Sequence, residues 1–168
     1  MKKKTGIFGG SFNPIHNGHL SLARQLKEKA CLDEVWLMVS PRNPLKREAD
    51  LMPNRRRLSL ARKAVEGIDG VKVSDFEMHL PVPSYTYLTL RRLREEYPDA
   101  AFSLVIGADN WLAFSRWAHP EEILLTTPII IYPRRGSDID PSTLPEGVTL
   151  LEMPLYDISS TQIRQGTV

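Results

Sequence analysis

Two histidines three residues apart, His16 and His19, stand just behind a run of small and turn-forming residues, Gly9-Gly10-Ser11-Phe12-Asn13-Pro14. A short apolar stretch, Thr5-Gly6-Ile7-Phe8, leads into this run, and an amphipathic stretch from Leu20 to Ala30 follows it. The pattern reads as a strand, a glycine turn and a helix. Backbone N–H groups in such a turn can approach an anion, and the helix N-terminus adds a partial positive charge in the same place. Imidazoles at the helix start face whatever the turn holds; they donate hydrogen bonds and can carry charge near neutral pH. The chemistry this suits is binding a triphosphate and acting on one of its phosphates. As metal ligands the two histidines are poorly served, because no cysteine or carboxylate lies at zinc spacing beside them. The turn also lacks the third glycine of a dinucleotide fingerprint and the Gly-Lys-Ser/Thr of a P-loop.

The elements that would position these residues follow from apolar patterning. A first strand is expected near Lys4 to Gly9, and a helix over Gly18 to Lys29 with Leu22, Ala23 and Leu26 inward. Glu34 to Val39 is mostly apolar, as a strand covered on both faces should be. Pro41 to Pro53 reads as a loop. Asn54 is expected to cap a second helix with Leu58, Ala61 and Val65 inward, and Ser84 to cap a third that ends before Pro98. Further strands fall at Val71–Ser74, Ala101–Ile106, Pro128–Tyr132 and Val148–Leu151. Pro120-Glu121-Glu122 suits a first helical turn, and Ser159-Ser160-Thr161 a last one. Strands alternating with helices imply an α/β domain with a mainly parallel sheet. Ligands then bind beyond the carboxyl ends of the strands, where residues distant in sequence meet.

Composition bounds the partners. The chain has 168 residues, 42% hydrophobic and 25% charged, with Lys+Arg 22 against Asp+Glu 20 and a net charge of +2. That is one domain (1–168) with a real core and no concentrated basic excess, so a nucleic-acid partner is not expected. Cys31 is the single cysteine, which excludes an intrachain disulfide and fits a reducing compartment. No apolar stretch approaches the roughly 20 residues a membrane span needs, and the cytoplasm is the expected location. Small-molecule substrates are the expected partners, and a homo-oligomer stays open.

The sequence His16-Asn17-Gly18-His19 resembles the HxGH signature of the nucleotidylyltransferase superfamily. With Gly9-Gly10-Ser11-Phe12-Asn13-Pro14 before it and Ile158-Ser159-Ser160-Thr161-Gln162-Ile163-Arg164 near the end, the chain resembles the bacterial nicotinate-nucleotide adenylyltransferases. Pro83-Ser84-Tyr85-Thr86, Gly107-Ala108-Asp109 and Trp117 match that branch too. The resemblance implies a Rossmann-like, doubly wound fold. It also implies transfer of the adenylyl group of ATP to nicotinate mononucleotide, with pyrophosphate released and Mg²⁺ arriving on the ATP phosphates, in NAD biosynthesis. It gives His16 and His19 to the ATP phosphates as the catalytic pair. Gly9, Gly10, Ser11, Phe12, Gly18, Gly107, Asp109, Ile158, Ser159, Ser160, Thr161 and Arg164 become the ATP-binding set. For the mononucleotide it implies Lys46 on the phosphate, Trp117 on the pyridine ring, Tyr85 and Thr86 on the carboxylate, and Arg134 in the same cleft.

Each of these residues has a plainer reading. Ser159-Ser160-Thr161 and Asp109 could be ordinary helix caps, Lys46 one exposed lysine among many, and Trp117 a core residue. Arg55, Arg56, Arg57, Arg91 and Arg92 read as solvated helix faces, and His79 and His119 as structural. Departures from the family pattern are Asn13 for an aspartate, Leu45 for a histidine, Leu88 for an acid and Arg135 for a proline. Relatives continue with another helix, so a C-terminal segment beyond Val168 is also expected. The alternatives are a sister enzyme acting on nicotinamide mononucleotide or phosphopantetheine, and a non-catalytic ATP-binding module.

Overall fold

Apolar runs that do not alternate need cover on both faces, and the chain supplies it. A computed structural model describes residues 1–41 and 51–153. Lys46 and the whole Ile158–Arg164 motif lie outside the described residues. The strands are β1 (Lys3–Gly10), β2 (Glu34–Val39), β3 (Val71–Ser74), β4 (Ala100–Gly107), β5 (Ile129–Tyr132) and β6 (Val148–Leu150). They form one parallel sheet in the order β3-β2-β1-β4-β5-β6. The helices are α1 (Asn17–Lys29), α2 (Asn54–Ala64), α3 (Thr86–Glu96), α4 (Ala108–Leu112) and α5 (Pro120–Thr126).

Successive strand residues point to opposite faces, and each face has its own core. On one, Phe8, Leu37, Val105 and Ile130 pack with Leu22 and Leu26 of α1 and Ala61 of α2. On the other, Ile7, Met38, Leu104, Ile106, Ile129 and Ile131 pack with Leu90 and Leu93 of α3 and Ile123 of α5. Each fully buried leucine or isoleucine contributes roughly 1.5–3 kcal/mol. The order in which strands are added reverses at the β1–β4 pair, so a crevice opens at their carboxyl ends. Gly9 and Gly10 end β1 and Gly107 ends β4, so the glycines of two separate motifs border that crevice.

Four local expectations are corrected. Helix α2 begins after Pro53 without a side-chain cap, because the Asn54 amide oxygen instead accepts a hydrogen bond from Arg57 at 2.6 Å. Arg57 is not a solvated residue: it is fully buried at 0% exposure. Ser84 does not cap α3, whose N-cap is Tyr85 without a side-chain bond. Asp109 is not a helix cap: β4 runs directly into α4, whose N-cap is Gly107, and Asp109 lies within the first turn. His79 is exposed beside Asp75, and His119 opens α5 in the left-handed region at φ 49° with its ring against Tyr87.

Candidate active site

His16 and His19 cap their own helix reciprocally. The His16 backbone N–H donates to His19 Nδ1 at 3.1 Å, and the His19 backbone N–H donates to His16 Nδ1 at 3.4 Å. The rings stack with centroids 3.7 Å apart and planes 21° from parallel. Accepting at Nδ1 fixes the tautomer: each neutral ring carries its proton on Nε2, directed away from the helix. Burial, helped by the neighbouring His16 and Arg134 charges, lowers the His19 pKa to about 3, and burial lowers that of His16 too. Both rings are therefore neutral Nε2–H donors at physiological pH. His16 Nε2 is buried and has no partner among the described residues. A buried donor without an acceptor costs on the order of 1–3 kcal/mol, and a phosphate oxygen at that point would relieve it.

The glycine between the histidines has a steric reason. A Cβ at Gly18 would lie 2.9 Å from both Cε1 and Nδ1 of His16, so any side chain there displaces the ring. At Gly9 a Cβ would meet nothing within 4 Å, which leaves open space over the end of β1. Phe12 lies in the left-handed region at φ 47°. Its ring is buried beneath Gly10 and edge-on to His19 at 4.9 Å. Phe12 therefore supports the turn and the second histidine with its ring and offers a ligand only its backbone. Asn13 Oδ1 accepts from Met52 N–H at 2.9 Å, a role an aspartate could fill equally.

Beneath the turn sits Arg57. Its guanidinium donates to the carbonyls of Ser11 at 2.8 Å and Ser40 at 2.7 Å, and its Nε donates to Met52 O at 2.9 Å. One side chain thus ties the glycine turn, the end of β2 and the start of α2 together. Nothing in the sequence marks it among three successive arginines; only the inward period of Ala61 and Leu58 puts it on the buried face.

A cavity of about 340 Å³ opens from the same crevice, walled by Gly9, Gly10, Ser11, Thr86, Trp117 and Tyr132 among others. Thr86 and Trp117 are thus brought together with the glycine turn, and Trp117 is steadied by Phe114 at 5.1 Å. Tyr85 is 46% exposed and does not line this cavity. Arg134 lies by Gly107, Asp109 and Tyr132, the last a wall residue of this cavity, and within charge reach of His19. Asp109 is exposed at the first turn of α4, its carboxylate over Gly107. Sequence reasoning missed Glu77, a buried carboxyl in the cavity wall, because acids are read as surface by default.

The sequence pattern of the family described as cytidylyltransferase-like matches residues 7–166, from inside β1 past the last motif. The chain belongs to the cytidylyltransferase-like family. Cytidylyltransferase-like relatives include the "Probable nicotinate-nucleotide adenylyltransferase" of Bacteroides fragilis (strain YCH46). It is 54% identical over 165 residues, 98% of this chain and 82% of that protein. The protein of the same name from Porphyromonas gingivalis (strain ATCC 33277) is 44% identical over 161 residues, 95% of this chain and 82% of that protein. Among solved structures, Plasmodium falciparum nicotinic acid mononucleotide adenylyltransferase complexed with NaAD superposes with a TM-score of 0.80. The match covers 97% of this chain and 83% of that one at 24% identity, a likeness of fold.

Proposed function

We propose that the protein transfers the adenylyl group of ATP to nicotinate mononucleotide, forming nicotinate adenine dinucleotide and pyrophosphate. The observation that carries the reading is the reciprocal His16–His19 cap, which leaves two neutral Nε2–H donors beside an open glycine turn. The names of the relatives at 54% and 44% identity support the choice of substrates.

A phosphate monoester is already a nucleophile at neutral pH, so the acceptor needs no strong base. Its oxygen attacks the α-phosphorus of ATP and pyrophosphate leaves; charge builds on the transferring group and the leaving oxygens. Catalysis then rests on positioning and on fixed donors aimed at that charge. His16 and His19 serve as those donors, with the turn N–H groups of Gly9, Gly10 and Ser11 and the Arg134 cation behind them. Asp109 is assigned to the ribose side of ATP. Ile158, Ser159, Ser160, Thr161 and Arg164 are assigned to the β- and γ-phosphates, and Lys46 to the acceptor phosphate. Trp117 would stack on the pyridine ring, with Thr86 and Tyr85 supplying the helix N-terminus for its carboxylate. Among the described residues no group of three or more His, Cys, Asp or Glu could hold a metal. In this proposal Mg²⁺ would arrive on the ATP phosphates, whose charge it would neutralise.

The test is a panel of acceptors with ATP and Mg²⁺, read by pyrophosphate release. Nicotinate mononucleotide is expected to turn over fastest. Faster turnover with the amide or with phosphopantetheine would move the reading to a sister reaction. ATP binding without pyrophosphate from any acceptor would make the chain a binding module.

A further inference from the structure

The glycine turn passes through the left-handed region at Phe12, with φ 47°. A bulky side chain rarely takes that conformation, and it persists only where neighbouring contacts over-determine it. Here both neighbours of Phe12 are held. The Ser11 carbonyl accepts from Arg57 Nη1 at 2.8 Å, and Asn13 Oδ1 accepts from the Met52 N–H at 2.9 Å. Met52 is fixed from its other side as well, its carbonyl accepting from Arg57 Nε at 2.9 Å. Arg57 Nη1 also donates to the Ser40 carbonyl at 2.7 Å, and Nη2 to Asn54 Oδ1 at 2.6 Å. One fully buried side chain thus commits four of its five N–H donors to the segments around a single peptide.

The direction of that peptide follows from these bonds. The Ser11–Phe12 bond is trans, so its C=O and N–H point opposite ways. With the carbonyl drawn inward to the buried guanidinium, the Phe12 N–H is turned outward. The preceding peptide is set in the same manner. The Gly10 carbonyl accepts from the Ser40 N–H at 2.9 Å, which turns the Ser11 N–H away from β2. Among the described residues neither N–H has an acceptor. The Phe12 ring lies edge-on to His19 at 4.9 Å, so a shift of this peptide would also reach the second histidine. A lysine at position 57 could not hold the same set of acceptors, because its ammonium lacks the planar fork of the guanidinium.

We propose that Arg57 is a positioning residue of the adenylyl-transfer reaction, on the reading that ATP and nicotinate mononucleotide are the substrates. It holds the Ser11–Phe12 peptide with its N–H outward, as a fixed donor for the charge that develops on the transferring phosphate. Fully buried, Arg57 touches no substrate itself. Its effect on turnover passes through that one peptide and is separate from what it contributes to the stability of the fold.

The test is a double-substitution cycle read as kcat at saturating ATP and nicotinate mononucleotide, each protein assayed well below its own Tm. Arg57→Lys is expected to lower kcat roughly tenfold or more, with the KM for the mononucleotide within about threefold of wild type. A backbone ester at the same peptide, made by replacing Phe12 with phenyllactate, deletes the N–H and keeps the Ser11 carbonyl and the ring. It should lower kcat by a similar factor. Because both changes act through one N–H, the combined protein should lose little beyond either change alone. A lower Tm with wild-type kcat in Arg57→Lys would reduce the arginine to a structural role and overturn the proposal. So would losses that simply multiply. Full turnover in the ester overturns it too, and the ester decides the matter if Arg57→Lys does not fold. Wild-type enzyme that releases no pyrophosphate with this acceptor overturns the functional reading itself, so the two failures are told apart by the control.

Discussion

At the scale of single residues, the site is a set of groups held in one protonation state each. The His19 ring is locked by the His16 N–H on one nitrogen, so the other must be the donor. Replacing His19 with alanine should lower kcat on the order of 100-fold or more while the fold persists, since one preorganised donor to developing charge is worth that much. Rapid-quench or pyrophosphate assays at saturating substrates would check it. Gly18→Ala should do comparable harm by an indirect route, because its methyl occupies the space of the His16 ring. Wild-type kcat in that variant would show that the reciprocal cap is dispensable. Trp117→Ala should raise the acceptor KM by roughly 2- to 12-fold, the range of an aromatic stacking contact, and leave the KM for ATP alone.

At the scale of elements, apolar spacing is a good guide and polar burial is not. The strand at Glu34–Val39 and the helix ending at Lys29 stand where the pattern places them, because core faces impose those periods locally. The caps expected of Asn54 and Ser84 are absent. A capping residue competes with tertiary partners, and Asn54 is taken by Arg57. Arg57 was illegible for the same reason: it is polar, and its inward place depends on carbonyl acceptors from other segments. The HxGH stretch was legible as phosphate chemistry because its histidines and glycine act within one helical turn. The cavity beside it was not, because β1, the turn at Glu77, α3, β4 and β5 build it jointly. Arg57→Ala should therefore destabilise the fold by about 3 kcal/mol or more, a Tm loss on the order of 10 °C, by leaving several buried carbonyls unpaired. Arg55 and Arg56 are exposed, and alanine at either should change Tm by only a degree or two in a calorimetric scan.

At the scale of the whole molecule, the neutral histidines make stability depend on pH. The His19 pKa is about 3 in the folded chain against an ordinary 6.5 when unfolded. Between those values the unfolded chain takes up a proton that the folded chain refuses, so stability rises with pH across that window and is lost as pH falls through it. His16 acts in the same direction. His19→Gln should lose less stability than wild type between pH 7.5 and pH 5, as read from urea midpoints. An equal loss would mean that the ring is charged in the fold.

The central place of β1 sets an order of events during synthesis. Its two neighbours are β2, which follows within about thirty residues, and β4, which begins at Ala100. While a ribosome is still making the middle of the chain, the β4 side of β1 has no partner and presents a bare, apolar edge to other nascent chains. Such edges seed aggregation until they are covered. The strand that leads into the glycine turn is thus also the segment whose protection is completed late, and slow translation ahead of Ala100 should lower soluble yield even where every residue of the candidate site is intact.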